Sequence, residues 1–414
     1  MNSSQNAGGA HEKRNITAIV IVAALGYFVD IYDLILFSIV RVPSLKSLGV
    51  SGDAILSEGV LLLNMQMTGM LLGGILWGII GDKKGRISVL FGSIILYSIA
   101  NIANGMVQTI PMFAAMRFIA GVGLAGELGA GITLVSEVMS KESRGYGTML
   151  VASIGILGAV AAALVGDAFD WRVAFYVGGG MGLLLLILRF GIYESGMYNF
   201  MKNVSVKKGA FHELFTDWKR LKKYAKCILI GGPLWYMIGI LITFSPEFAK
   251  NMGIADPINA GHSVMMCYIG LATGDMASGL ISQLLRSRKK TIFIFLTFSA
   301  AAIVVYLFFN HFSTFYFYTL CVLLGLGGGY WAIFVTNASE QFGTNLRATV
   351  TTTVPNFIRG SVVPMTLAFQ FVKTYTGMIY SALIIGAIVI IVAYYALARM
   401  DETFGKDLNY METL

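Results

Sequence analysis

The sequence predicts an all-α membrane protein: twelve transmembrane helices in two pseudo-symmetric six-helix bundles. Three observations predict it. The 414-residue chain is 56% hydrophobic and 13% charged, with a mean hydropathy of +0.73, whereas soluble domains carry about 25% charged residues. Its apolar residues gather into windows long enough to cross a bilayer. Short features of the first half also return in the second.

The windows run near 16–42, 58–80, 87–108, 111–138, 145–168, 172–193, 225–249, 261–284, 291–310, 313–340, 347–371 and 376–398. Each can cross a hydrocarbon core of about 30 Å as a helix. Barrel strands would be about ten residues long and strictly alternating, which these windows are not. Before the first window, MNSSQNAGGAHEKRN lacks a signal-peptide layout, so 16–42 reads as a retained first helix. The longest polar interruption, 194–224, separates six windows from six. The expected organisation is therefore an N-terminal bundle over 1–193, a cytoplasmic linker over 194–224, and a C-terminal bundle over 225–414 with a short cytoplasmic tail. The linker's end, FHELFTDWKRLKK, suits either an amphipathic helix on the anionic leaflet or a solvated tether.

Charge sets the orientation. With the N-terminus inside, 22 of the 30 Lys and Arg fall on the cytoplasmic side, 5 on the other (Arg41, Lys46, Arg172, Lys250 and Lys373) and the rest within spans. This is the positive-inside pattern, so both termini are expected in the cytoplasm. The net charge of +8 is thus a topology signal, and no nucleic-acid partner is expected. Cys227, Cys267, Cys321 and the four histidines lack ligand spacing, which argues against metal sites and disulfides.

The repeat is visible in three places. Pro43 and Pro246 end the first and seventh windows, 203 residues apart. Ser136-Glu137 followed by Arg144 returns as Ser339-Glu340 followed by Arg347, again 203 apart. GIIGDKKGR at 78–86 has a worn counterpart in GLISQLLRSRKK at 279–290. Six-helix repeats with a site between them are a recurring transporter plan.

Three motifs carry a resemblance to a known family. The loop Gly78-Ile-Ile-Gly-Asp82-Lys-Lys-Gly85-Arg86 is similar to the signature loop of the major facilitator superfamily. Arg117-Phe-Ile-Ala-Gly121-Val-Gly123-Leu-Ala-Gly126-Glu127 resembles the span-four pattern of its metabolite:proton and aromatic-acid:proton symporter branches. Asp30-Ile-Tyr-Asp33 resembles the acid-x-aromatic-Asp pattern of their first span. The resemblance covers essentially the whole chain. It departs at Ala120, where a glutamine is frequent, and at Gln283, where an acid might stand. It implies that spans one and four line a central cavity, and that Asp82, Gly85, Arg86, Glu137 and Arg144 form a cytoplasmic latch. Glu340 and Arg347 hold the matching position in the second half. Gly121-x-Gly123-x-x-Gly126 also matches a dinucleotide fingerprint, but no strand precedes it, and small residues at this spacing serve helix packing.

Ionised side chains inside a bilayer cost about 2.5–3.5 kcal/mol each on insertion scales and are functional candidates. At 1.5 Å per residue, Asp30 and Asp33 lie roughly 20–25 Å from the inner face, and Arg117 about 20 Å from it. Two carboxylates sharing one arginine cannot both be compensated, so one is expected to bind a proton; the sequence does not separate them. A static ion pair fixing helix packing is the competing reading. Glu127, deeper in span four, is a second proton site or a packing partner. Arg359 lies roughly 18 Å into span eleven, between Pro355 and Pro364. Its fork suits a substrate carboxylate or phosphate; the competing reading pairs it with Asp275. Asn64, Gln66, Trp235, Tyr236, Tyr330, Trp331 and Asn356 lie at comparable depth and complete a candidate binding set with Asp275.

The expectation is a monomeric secondary transporter of the bacterial inner membrane, importing a small anionic organic metabolite with protons by alternating access. A drug or metabolite exporter of the same fold, running as a proton antiporter, and a membrane receptor that senses a metabolite without moving it are the alternatives. No nucleophile–base set or phosphate loop stands outside the spans, so an enzyme is not expected. No cofactor is expected either; the proton is the coupling ion.

Overall fold

The computed structural model describes residues 2–84, 86–127, 144–192, 211–308 and 313–405. The first half contains α1 (Asn2–Ser47), α2 (Ala54–Lys84), α3 (Arg86–Asn104), α4 (Ile110–Leu124), α5 (Arg144–Ala168) and α6 (Trp171–Ile192). The second contains α7 (Trp218–Tyr236), α8 (Ala260–Leu285), α9 (Arg288–Phe308), α10 (Thr314–Gly328), α11 (Trp331–Glu340), α12 (Thr344–Gly360) and α13 (Val362–Ala398). Short helices at Glu213–Thr216 and Ser245–Asn251 flank α7 and its continuation. Gly85, Glu137 and most of the expected linker lie outside the described residues, as do the side chains of Asp82, Arg86 and Arg144.

Helix boundaries follow local chemistry. The Thr109 side chain accepts from the Met112 N–H, with Pro111 in the first turn, so α4 starts there. Asn259 accepts from the Gly261 and His262 N–H groups and starts α8. Asp217 does the same for α7 through the Lys219 N–H. Part of the basic linker end, from Trp218 on, is therefore the first turns of α7, ahead of the apolar window at 225.

Among the described residues, eight stretches are long and apolar enough to cross a membrane, and Ser88–Asn104, Ile110–Leu124 and Ile154–Ala168 are shorter apolar helices. One of the eight, Thr349–Ala398, is 50 residues long, about 75 Å as one helix, and Gly377 breaks it with φ 78° and ψ 177°. Counting it twice gives the twelve expected spans.

The helices pack in two sets. α1 lies on α5 and α6, α2 and α3 on α4; α8 and α9 lie on α10, α7 and α9 on α13. The same device brings matched pairs close. A Cβ on Gly121 would press into the Gln66 carbonyl of α2, and one on Gly325 into the Cys267 carbonyl of α8. Gly121 is thus a packing residue. The halves meet where α2 faces α12 and α13, and where α1 and α5 face α8.

Three spans of the second half are irregular. α7 runs on as a π-helix over Met237–Ile242, a feature frequent at functional sites. The tenth span is interrupted at Gly329 and Tyr330, between α10 and α11. The eleventh passes from α12 to α13 at Ser361, whose N–H still reaches the Phe357 carbonyl at 2.9 Å.

Candidate functional site

Asp30 and Asp33 are both 0% exposed, and neither has an oxygen in a hydrogen bond. Three residues of helix separate side chains by about 60° around the axis, and that suffices to send them to different neighbours. Asp30 faces the other half, where its Oδ2 lies 3.9 Å from Arg359 Nη2. Asp33 points into the first half, against Gly178 of α6, within electrostatic reach of Arg117 and with the Asn101 amide close enough to interact as a donor. The two acids therefore have different arginines.

Arg359 is 1% exposed, and its Nε and Nη1 have no partner. Its guanidinium sits 5.5 Å from the centroid of the Trp235 ring, whose own Nε1 is also unpartnered. Tyr27 of α1 and Tyr268 of α8 stand within electrostatic reach of Asp30 and Arg359. A buried donor left without a partner costs about 1–3 kcal/mol, more when charged. Donors collected in one place at that cost are suited to an anion that arrives from outside.

Arg117 rests on Phe37 and Phe175, at 5.3 and 5.5 Å from their centroids, and none of its three nitrogens is hydrogen-bonded. Glu127 is held instead by both terminal nitrogens of Arg189 on α6, and Arg189 Nη1 also donates to the Leu90 carbonyl. Asp275 Oδ1 accepts the Ala332 N–H at 3.0 Å, so it caps α11 at the break in span ten.

The other candidates have local tasks or cross-links. Asn64 accepts from the Thr366 hydroxyl at 2.6 Å, and Asn356 donates to the Ala125 carbonyl at 2.8 Å, both across the halves. Gln66 donates to the Leu34 carbonyl, Tyr236 to that of Ala382 and Tyr330 to that of Ile230. Trp331 packs on Phe334, with centroids 5.5 Å apart. Glu340 lies 3.5 Å from Arg288 and accepts from Thr403, while Arg347 donates to the Ser339 and Phe342 carbonyls.

One further connection joins the halves. Arg41, 0% exposed near the end of α1, contacts Glu247 at 2.7 Å. It also donates to the carbonyls of Thr243 and Ile55 and lies over the Phe244 ring. Sequence reasoning counted Arg41 among the five cations of the face opposite the cytoplasm and missed Tyr27, Tyr268, Asn101 and Arg189 as site residues. An arginine inside an apolar window, two residues before Pro43, was the available signal for Arg41, and an arginine within 172–193 was that for Arg189. Tyr27, Tyr268 and Asn101 look like ordinary membrane-helix residues.

Two halves joined around buried charge match the comparisons with known proteins. The chain is 25% identical over 366 residues to the niacin transporter NiaP of Acinetobacter baylyi, covering 79% of this chain and 80% of that one. It is 25% identical over 402 residues to the cis,cis-muconate transport protein of the same organism, covering 94% of each. Its fold superposes on the inward-open xylose transporter XylE of E. coli with a TM-score of 0.71 at 17% identity, covering 95% of this chain and 98% of that one. The family model of the Major Facilitator Superfamily matches residues 23–362, so the chain belongs to that superfamily and is a membrane transporter rather than an enzyme.

Proposed function

We propose that the protein is a proton-coupled symporter that imports a small carboxylate-bearing metabolite across a bacterial inner membrane, with both termini in the cytoplasm. The observation that carries this reading is the Asp30–Arg359 contact, made across the two halves with partner atoms to spare. A substrate carboxylate and Asp30 compete for the same guanidinium. Protonation of Asp30 cancels its attraction for Arg359 and leaves the arginine to the substrate, so proton and anion are favoured together. Release of both restores the bridge between the halves and biases the choice of open state. Trp235, Tyr27 and Tyr268 offer faces for a planar ligand, in keeping with relatives named for niacin and muconate. Asp33 and Arg117 form the second charged pair of the coupling machinery, and Arg189 holds Glu127 beside it.

Proteoliposomes under an imposed pH gradient test the reading, with radiolabelled nicotinate, benzoate and muconate as probes. Asp30→Asn should abolish gradient-driven accumulation and spare exchange; Arg359→Ala should abolish both. Full concentrative uptake by both Asp30→Asn and Asp33→Asn would sink the proposal. Gradient-driven efflux would replace import with export.

A further inference from the structure

Six tyrosines are among the largest fully buried side chains: Tyr32, Tyr97, Tyr224, Tyr236, Tyr306 and Tyr330. Five donate their hydroxyls, to the carbonyls of Ala174, Ala382, Leu241 and Ile230 or to the Thr353 hydroxyl. Tyr97 is the exception, and it is not alone. Next to it on α3, Ser98 Oγ also lacks a partner, and Asn101 approaches Asp33 without completing a well-formed hydrogen bond at either amide atom. From α1 and α4 come Asp33 and Arg117, with all their side-chain nitrogens and oxygens unpartnered. All five residues are 0% exposed. α6 meets two of them with glycines: a Cβ on Gly178 would overlap Asp33 Oδ1, and one on Gly182 would overlap Ser98 Oγ.

We infer that Asp33, Tyr97, Ser98, Asn101 and Arg117 enclose a chamber that binds ordered water inside the first half, apart from the Asp30–Arg359 contact. Buried polar atoms in proteins are almost always hydrogen-bonded, and internal waters typically serve several such atoms at once. The inventory here suits water. Asp33 as carboxylate only accepts, Arg117 only donates, and the other three side chains do both. No Arg117 nitrogen is hydrogen-bonded to an Asp33 oxygen, and water placed between the two would bond both. The charges around the chamber are Asp30, Glu127 and Arg189, each within electrostatic reach of Tyr97. A hydrated pair can separate and re-form as the halves rock without exposing either charge to a dry interior. Tyr97, Ser98 and Asn101 thus act as positioning residues. Their role in coupling rests on the symport reading; the occupancy of the chamber does not.

Hydroxyl-radical footprinting by X-ray radiolysis, on the full-length protein in lipid nanodiscs, reads the water directly. Tyr97 should be oxidised at least tenfold faster than Tyr236 and Tyr306, which are as buried but internally bonded. Asn101→Leu, or the milder Ser98→Ala, should slow Tyr97 oxidation at least threefold and leave the other two unchanged. Equal rates at Tyr97 and Tyr236 would overturn the chamber. In proteoliposomes, Ser98→Ala should lower gradient-driven uptake relative to exchange, and an unchanged ratio overturns the positioning role. A wild-type protein without gradient-driven uptake fails the symport reading instead, and the labelling contrast still decides the chamber.

Discussion

Arg41 and Arg359 are equally buried, at 0% and 1% exposure, and both reach an acid of the opposite half. Their surroundings differ. Arg41 meets Glu247 at 2.7 Å, two backbone carbonyls and an aromatic face. Arg359 meets Asp30 at 3.9 Å and keeps two nitrogens free. Burial alone therefore does not separate a clamp from a binding group; the fraction of hydrogen-bonding capacity already used does. Arg41 bonds through both terminal nitrogens and leaves only Nε over, whereas neither Nε nor Nη1 of Arg359 is bonded. A guanidinium with its fork in use resists a newcomer, and one with its fork open invites it.

The contrast breaks most visibly at Arg359. Arg359→Lys keeps the charge and removes the fork that suits a carboxylate. Affinity for the anionic probe is expected to fall about 100-fold, or about 2.7 kcal/mol, in counterflow or calorimetric titration. A change under about threefold would remove Arg359 from substrate binding.

At Arg41 the expected loss is in closure rather than affinity. Ser38 and Thr243 hydroxyls lie 3.0 Å apart beside the clamp, so cysteines there report whether the halves stay together. In a background without Cys227, Cys267 and Cys321, Arg41→Ala should cut the yield of that cross-link several-fold. Stability should fall by about 2–3 kcal/mol, below the 3–5 typical of a broken buried pair, because Glu247 is 20% exposed. An unchanged cross-link would show that the clamp holds nothing.

Asp275 sharpens the comparison from a third side, since its carboxylate already has an occupant in the Ala332 N–H. Asp275→Asn keeps an acceptor and should be close to neutral in thermal unfolding. Asp275→Leu removes the cap and should cost about 1 kcal/mol. Equal effects of the two would argue for charge rather than capping.

The spans were legible because bilayer thickness and backbone satisfaction leave a long apolar window few alternatives. The same physics hid the irregularities. The Gly327–Gly328–Gly329 run looks like packing, and nothing in Met237–Ile242 announces a π-helix. Depth along the axis could be counted at 1.5 Å per residue, which placed Asp30, Asp33, Arg117 and Arg359 near one level. Rotation about the axis could not be counted. It decides that Asp30 meets Arg359 rather than Arg117, and that Glu127 meets Arg189. Arg41 was misread for a related reason: a cation near a span end satisfies the topology rule whether it faces water or the opposite half.

The smallest expected effect lies beyond the last span, where a charged group again has many partners. Glu402 accepts the Ser287 hydroxyl and the N–H groups of Arg288, Lys289, Thr403 and Phe404, at the N-terminus of α9. Burial pushes its carboxyl up, but the hydrogen bonds from Ser287, Phe404, Arg288 and Thr403 outweigh it and hold the group below the ordinary carboxylate range. A depressed folded value means that the contribution is present above the unfolded value, about 4.3, and is lost as pH falls through the folded one. The tail should therefore stay docked at neutral and mildly acidic pH and loosen only in stronger acid. Glu402→Gln removes the charge at the helix end, worth about 0.3–1 kcal/mol. It should speed hydrogen exchange at the Arg288 and Phe404 amides roughly two- to five-fold at pH 7, with no further loosening in acid. Unaltered protection at Phe404 would mean that the neutral amide serves as well as the carboxylate, and that the helix-end charge contributes nothing to docking.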